Sequence, residues 1–288
     1  VRTTPDAWYA DPARARALWA LLDDGFPGLA AKAAVAADRG DRWDLVTEPF
    51  VVEDERGPVA HVGVIAHPVR LAGRDTVVAG LHAVCTRSDA RGRGHAREAL
   101  RRALAWVDAR YGTSKLGTDL PAVYAPHGFR PLALHHFVVD HAGGDGSARP
   151  LRPDEGAALR DRCARRDPVS HAFASRDPGW LAGIDLALQR RTLADLRAID
   201  GLGAVVDAEV AADGVLDLHD VIAEHLPPLP EVLRRMPPHR GVRLWVCPDR
   251  LAPGARPVPM PEAGVWMVRG DWPLPDAVPF AVGRLAEH

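Results

Sequence analysis

The sequence predicts an α/β (α+β) fold: a mixed, mostly antiparallel sheet flanked by helices, followed in tandem by a second unit of similar order. Three observations carry this. Residues 50–86 hold three apolar strand segments separated by turn residues, the pattern of an antiparallel meander. Leu81–Leu104 passes from an apolar strand through a glycine-containing loop into a long amphipathic helix. Beyond the linker Gly143-Gly144-Asp145-Gly146-Ser147, strand and helix segments recur in a comparable order, which divides the chain into 1–142 and 147–288.

Each element has its own signal. Ala15, Leu18, Trp19 and Leu22 recur at helical spacing after Asp11-Pro12, an N-cap with proline at the first helical position, and predict a helix over 11–22. Gly25-Phe26-Pro27-Gly28 interrupts, and a second helix follows over 29–38. Strands are expected at 50–53, 58–69 and 76–86, with a turn at Glu55-Arg56-Gly57. The next helix, 94–110, carries Ala96, Ala99, Leu100, Ala103, Leu104 and Val107 as one apolar stripe, with Arg97, Glu98, Arg101, Arg102 and Asp108 facing out. Gly112 ends it. A strand over 114–118, a helical turn over 122–127 and a strand pair over 130–139 complete the first unit.

In the second unit, Arg152-Pro153-Asp154 opens a helix over 153–165, and another spans 178–190. Strands at 203–210 and 215–222, a helix at 228–236, and strands at 242–247 and 264–269 follow. The strand over 215–222 runs into Leu226-Pro227-Pro228-Leu229-Pro230. Prolines remove N–H donors, and no glycine loop is present, so this half should not hold a pyrophosphate.

Composition narrows the function classes. The 288 residues are 47% hydrophobic and 26% charged, which is globular, with room for one large or two ordinary domains. A formal net charge of −2 gives no global basic field for nucleic acid or an anionic membrane. No apolar run approaches the ~18 residues of a transmembrane helix. Cys85, Cys163 and Cys247 form neither a disulfide framework nor a metal-ligand pattern, which favours a reducing cytoplasm. Cys85 reads as packing. The adjacent pair His135-His136 lies on a strand, where neighbours face opposite ways, so no metal site is expected.

The chemistry concentrates at Arg91-Gly92-Arg93-Gly94-His95-Ala96. A loop of this kind at a helix N-terminus presents consecutive backbone N–H groups where the macrodipole is positive, a site suited to a pyrophosphate. The spacing excludes a nucleotide P-loop, which needs Gly-Lys-Ser/Thr, and departs from Gly-x-Gly-x-x-Gly because Arg97 stands at the third glycine. Arg91, Gly94 and Ala96 fill Arg-x-x-Gly-x-Ala. About thirty residues downstream lies Tyr124-Ala125-Pro126-His127-Gly128-Phe129. Together these resemble the acyl-CoA loop and the Tyr-x-x-x-Gly-Phe segment of the GNAT superfamily of N-acetyltransferases, most specifically over residues 45–135. The second unit resembles a degenerate GNAT domain. The pair is similar to the first two parts of the enhanced-intracellular-survival type aminoglycoside acetyltransferases. Their chain-terminal carboxylate base does not transfer to His288.

The resemblance implies an acetyl-CoA-dependent N-acetyltransferase in which a neutral amine attacks the thioester directly. Acetyl-CoA is the acyl donor. Its pantetheine arm would pair with the backbone of Val84 and Thr86 like an added strand. Arg91, Gly92, Arg93, Gly94, His95 and Ala96 would hold its pyrophosphate. The Val84 N–H would face the oxygen that gains charge, and Tyr124 would protonate the leaving thiolate. His82, close to where some members carry histidines, is the first candidate for the base; Glu48 and Asp119 follow it. Phe26 and Trp43 are candidate acceptor contacts. The acceptor would be a small-molecule or peptide amine. Neither nucleic acid nor membrane is expected as a partner, and family habit implies a homodimer. The alternatives are a non-catalytic acyl-CoA sensor and an interaction protein whose second half carries the function.

Overall fold

The computed structural model describes residues 7–260 and 264–285. Asp11 caps the first long helix as its sequence requires, accepting from the N–H groups of Ala13 at 2.7 Å and Arg14 at 3.2 Å. The helices are α1 (Ala7–Ala10), α2 (Pro12–Gly25), α3 (Leu29–Ala37) and the single turn α4 (Trp43–Val46). The meander is β1 (Thr47–Asp54), β2 (Gly57–Leu71) and β3 (Arg74–Thr86). Then come α5 (His95–Asp108), β4 (Thr113–Thr118), the one-turn α6 (Pro121–Tyr124), β5 (Arg130–Leu132) and β6 (His135–Val139). The second half contributes β7 (Arg149–Pro150), α7 (Gly156–Arg165), β8 (Phe173–Ser175), α8 (Trp180–Leu188), β9 (Arg197–Ile199), β10 (Ala204–Val210) and β11 (Leu216–Ile222). It ends with α9 (Leu229–Arg235), β12 (Val242–Leu244), β13 (Arg256–Pro259) and β14 (Val265–Gly270).

Two sheets result, and their orders repeat. The first runs β1-β2-β3-β4-β14-β5, with β8 beside β2; the second runs β9-β10-β11-β12-β6-β13, with β7 beyond β9. In each, two antiparallel pairings are followed by one parallel pairing, β3 with β4 and β11 with β12. Each sheet is then continued by a strand from the other half of the chain. β14 pairs antiparallel with β4, and β6 pairs antiparallel with β12. The halves therefore exchange strands and share one core, in which Val69, Leu71 and Val78 pack with Phe173, Val206 and Val268.

The segment 143–147 is correspondingly not a free tether. Gly143 and His239 exchange backbone hydrogen bonds at 2.9 and 2.8 Å, and the Asp145 and Gly146 N–H groups reach Arg234 O at 2.8 Å and Met236 O at 3.0 Å. Gly144, at φ 103°, leaves no room for a side chain: a Cβ there would lie 2.4 Å from Met236 O.

Four helices cover the two faces of the first sheet. α5 buries Ala99, Leu100, Ala103, Leu104 and Val107 against one face. The other face is covered by α2 and α3 of the first half together with α8 of the second, through Leu181, Ile184 and Ala187. α8 begins where it does because Asp177 Oδ2 accepts from the N–H groups of Gly179 at 2.7 Å and Leu181 at 2.9 Å. In the second half, fully buried Asp207 is held between Arg191 and Arg284, each with a contact of 2.6 Å. Asp207→Asn leaves two guanidinium groups without their shared counter-charge. It is expected to cost about 3–5 kcal/mol, read as a lowered urea midpoint.

Candidate active site

The site begins with a divergence. β3 and β4 pair in parallel at Ala79↔Ser114 and Gly80↔Lys115. Past that point the two strands part: β4 keeps β14 on its other edge along its whole length, from Gly270↔Thr113 to Val265↔Thr118, and pairs with β3 no further. Leu81–Thr86 of β3 is left with an open edge, the kind that an extended ligand can join by backbone hydrogen bonds.

A bulge shapes this edge. The β2–β3 register slips between His61 and Gly63, and Ala83 takes φ 49°, a left-handed conformation that costs an L-residue about 1 kcal/mol. His61 holds it there: Nδ1 lies 2.8 Å from Ala83 O. His61 is wholly buried, and burial pushes its pKa down to about 4. The ring is therefore neutral, and because a carbonyl can only accept, its proton sits on Nδ1. In a planar trans peptide the Val84 N–H points opposite to the Ala83 carbonyl, hence away from His61.

The bulge also breaks the strand alternation that places His82 and Val84 on one face. Leu81 and Val84 pack on the α5 side, whereas His82 lies against Trp43, and Ala83 and Cys85 pack on that same α2–α3 side. The extra residue at the bulge turns His82 away from Val84, whereas regular alternation would put the two on one face.

At the end of β3 the loop turns into α5 through two left-handed glycines, Gly92 at φ 76° and Gly94 at φ 87°. Nothing lies within 4 Å of a Cβ built on either one. Their conformation, and not crowding by the protein, calls for glycine, and the space above them is open. Arg91 to Gly94 are exposed, and His95 and Ala96 are half-buried. The N–H groups of the first turn of this 14-residue helix have no partner inside the helix. Arg91 Nε lies 3.4 Å from Thr86 O, which ties the loop back to the strand. Tyr124, at the end of α6, is hydrogen bonded to Thr118, the last residue of β4, and packs edge-on to Phe129 at 6.1 Å. Burial raises its pKa above the ordinary tyrosine value, so the phenol stays protonated.

Residues 15–129 match the model of the acetyltransferase (GNAT) family. This segment is a GNAT-family domain.

Solved structures extend the likeness of fold over both halves. A probable N-acyltransferase from Enterococcus faecalis is 13% identical, with a TM-score of 0.60 over 90% of this chain and 70% of that one. A GCN5-related N-acetyltransferase from Anabaena variabilis is 14% identical, with a TM-score of 0.60 over 90% and 71%. Eis1 from Mycobacterium abscessus is 14% identical, with a TM-score of 0.53 over 89% and 70%. At these identities the similarity is one of fold. No curated protein sequence matches the chain.

Beside the GNAT domain's open strand lies a cleft of about 560 Å³. Its near wall is Leu81, His82 and Ala83 of β3 with Thr118 and Asp119 at the end of β4. His82 Nε2 stands 3.3 Å from Thr47 Oγ1, its ring lies over Gly63, and Trp43 meets it edge-on at 4.7 Å. Trp43, expected as an acceptor contact, is corrected. It is 4% exposed, donates its indole N–H to Tyr9 Oη at 3.1 Å, and supports His82 from behind. Phe26 is exposed at the end of α2, outside the cleft lining. Glu48 lines a separate cavity beside Trp106 and Tyr111. Cys85 is buried with its thiol pushed up to about 12, an inert packing group. His135 lines the cleft while His136 packs on Trp245, and no cluster of three metal-ligating side chains occurs among the described residues. The terminal His288 lies outside the described residues.

The far wall comes from the second half. Asp185 and Leu188 of α8, Trp245 and Met260 complete the cleft. Sequence reasoning missed them. The available signal was Asp185, an aspartate inside the otherwise apolar run Trp180–Leu188, where a buried carboxylate needs a reason to exist.

Buried neutral histidines also set an acid limit. His61 and His219 are both held down to about 4 by burial. Between that value and the ordinary 6.5 the unfolded chain binds the extra protons. Stability is thus complete above pH 6.5 and is lost as pH falls toward 4. Urea unfolding at pH 7 and pH 5 should differ by about 2 kcal/mol per histidine.

Proposed function

We propose that the chain is an acetyl-CoA-dependent N-acetyltransferase that transfers an acetyl group to an amine by direct attack. The supporting observation is the meeting, at one end of β3, of an open bulged strand and a helix N-terminus reached through two left-handed glycines with open space above them. Such a site fits an elongated donor with a pyrophosphate at one end and a thioester at the other. The backbone of Val84 and Thr86 takes the pantetheine arm. The loop from Arg91 to Ala96 takes the pyrophosphate, Arg91 and Arg93 adding charge. The Val84 N–H faces the carbonyl oxygen as it gains charge. The amine forms the new C–N bond as the C–S bond breaks. Tyr124 gives its proton to the leaving sulfur, and His82 accepts the proton that the amine loses, directly or through water.

The test of donor binding is calorimetric titration with acetyl-CoA. Wild-type protein should bind it at micromolar concentration. Gly94→Glu puts a carboxylate into the open space above the loop, and together with Arg91→Ala it should weaken binding by about 100-fold or more. Because a Cβ at position 94 meets nothing, the loss should come with little change in thermal stability beyond the ~1–2 kcal/mol of left-handed strain. Absence of binding by the wild-type protein would remove the enzyme reading.

A further inference from the structure

The acceptor end of the cleft has a composition that selects among amines. The chain carries 36 Lys and Arg residues, yet none lines this cleft among the described residues. A carboxylate or phosphate on the acceptor would find no cation there. The charged groups that do line it, besides the histidines, are Asp119 at its exposed rim and Asp185 deep in its wall. Among the other lining residues of the second half Gln189 is polar, and Leu188, Met260, Val282 and the indoles of Trp245 and Trp266 are apolar. Trp245 is held in place: its Nε1–H donates to Asp217 Oδ1 at 2.9 Å, and its ring stacks on His219 at 5.3 Å. A cavity of about 560 Å³ is of the size that encloses a small molecule.

We infer that the acceptor is a primary monoamine on an apolar, aromatic-sized body, without a carboxylate, seated against Trp245 with its nitrogen drawn in by Asp119 and Asp185. This rests on the acetyltransferase reading and narrows it. A polycation needs several accessible carboxylates, and an amino acid needs a cation for its carboxylate. The wall offers neither. The second half thereby determines specificity: it supplies the apolar wall and one of the two acids, while the first half supplies the donor site.

The experiment measures release of free CoA from acetyl-CoA with four acceptors: an arylethylamine, a linear polyamine, an aminoglycoside and an amino acid. The arylethylamine should show kcat/KM at least about tenfold above each of the others. Trp245→Ala and Asp119→Asn should each raise its KM by about tenfold, with the KM for acetyl-CoA unchanged. Asp119 is exposed, so its variant keeps the test open if Trp245→Ala fails to fold. Preference for the polyamine, the aminoglycoside or the amino acid would overturn the inference and leave the acetyltransferase standing. An unchanged KM in both variants would also overturn it, as would release of no CoA by any acceptor from protein that binds acetyl-CoA, which would in addition favour the non-catalytic sensor over the enzyme. Failure to bind acetyl-CoA would instead bring down the reading beneath it.

Discussion

Tyr124→Phe should lower kcat by about 100-fold to 1,000-fold while leaving the affinity for acetyl-CoA unchanged. In the proposed reaction the sulfur departs as a thiolate, and the phenol beside Thr118 is the group that can protonate it. Phenylalanine keeps the ring and its edge-on contact with Phe129, so the core around α6 keeps its packing. What is lost is one hydroxyl and its bond to Thr118, worth about 1 kcal/mol of stability. The kinetic effect should therefore far exceed the thermal one. The pH profile gives a second check. Burial raises the Tyr124 pKa above its ordinary value near 10, so the acid form persists through neutral and mildly alkaline solution. A decline in kcat due to this group should set in at a higher pH than for an ordinary tyrosine, and the variant should lack it. Full kcat in Tyr124→Phe would mean that the thiolate leaves unprotonated or takes its proton from solvent.

The sequence made the frame of the GNAT domain readable because its signals are local. Gly57 and Gly73 turn the meander, Gly92 and Gly94 must be glycine to take positive φ, and the stripe from Ala99 to Val107 has helical period. Strand partners are another matter. β14 and β6 span six and five residues, and nothing in so short a segment specifies a neighbour more than a hundred residues away. The exchange of these strands between the two sheets was thus invisible, as was the role of α8 as a cover for the first sheet. The bulge was hidden for a different reason. Ala83 is a residue type that rarely adopts φ 49°, and the strand reads as regular through His82, Ala83 and Val84. The side chain that holds it, His61, lies 22 positions away in the preceding strand. Burial separates the acceptor candidates in the same way: Trp43 and Phe26 look equally available in the sequence, yet one is core and the other faces solvent.

His61→Leu tests whether that hidden bulge matters to the chemistry. Leucine fills much of the same buried volume but cannot donate, so the Ala83 carbonyl loses its partner and the left-handed φ loses its restraint. The stability cost should be about 1–3 kcal/mol, that of a buried acceptor left unsatisfied. If the Ala83–Val84 peptide then turns, the Val84 N–H leaves the position where it faces the thioester oxygen. Loss of one such donor costs about 100-fold to 1,000-fold in kcat. The affinity for acetyl-CoA should fall less than kcat, because the loop from Arg91 to Ala96 is untouched and only the pantetheine pairing at Val84 is disturbed. His61 would act here as a positioning residue, through the backbone and not on substrate. The discriminating variant is His61→Leu combined with Ala83→Gly. Glycine takes φ 49° without strain, so the bulge should re-form and recover part of kcat, while the second change adds nothing to the core packing lost at position 61. A purely structural role would give the opposite result: His61→Leu would lower the melting temperature, the folded fraction would keep its kcat, and Ala83→Gly would rescue nothing.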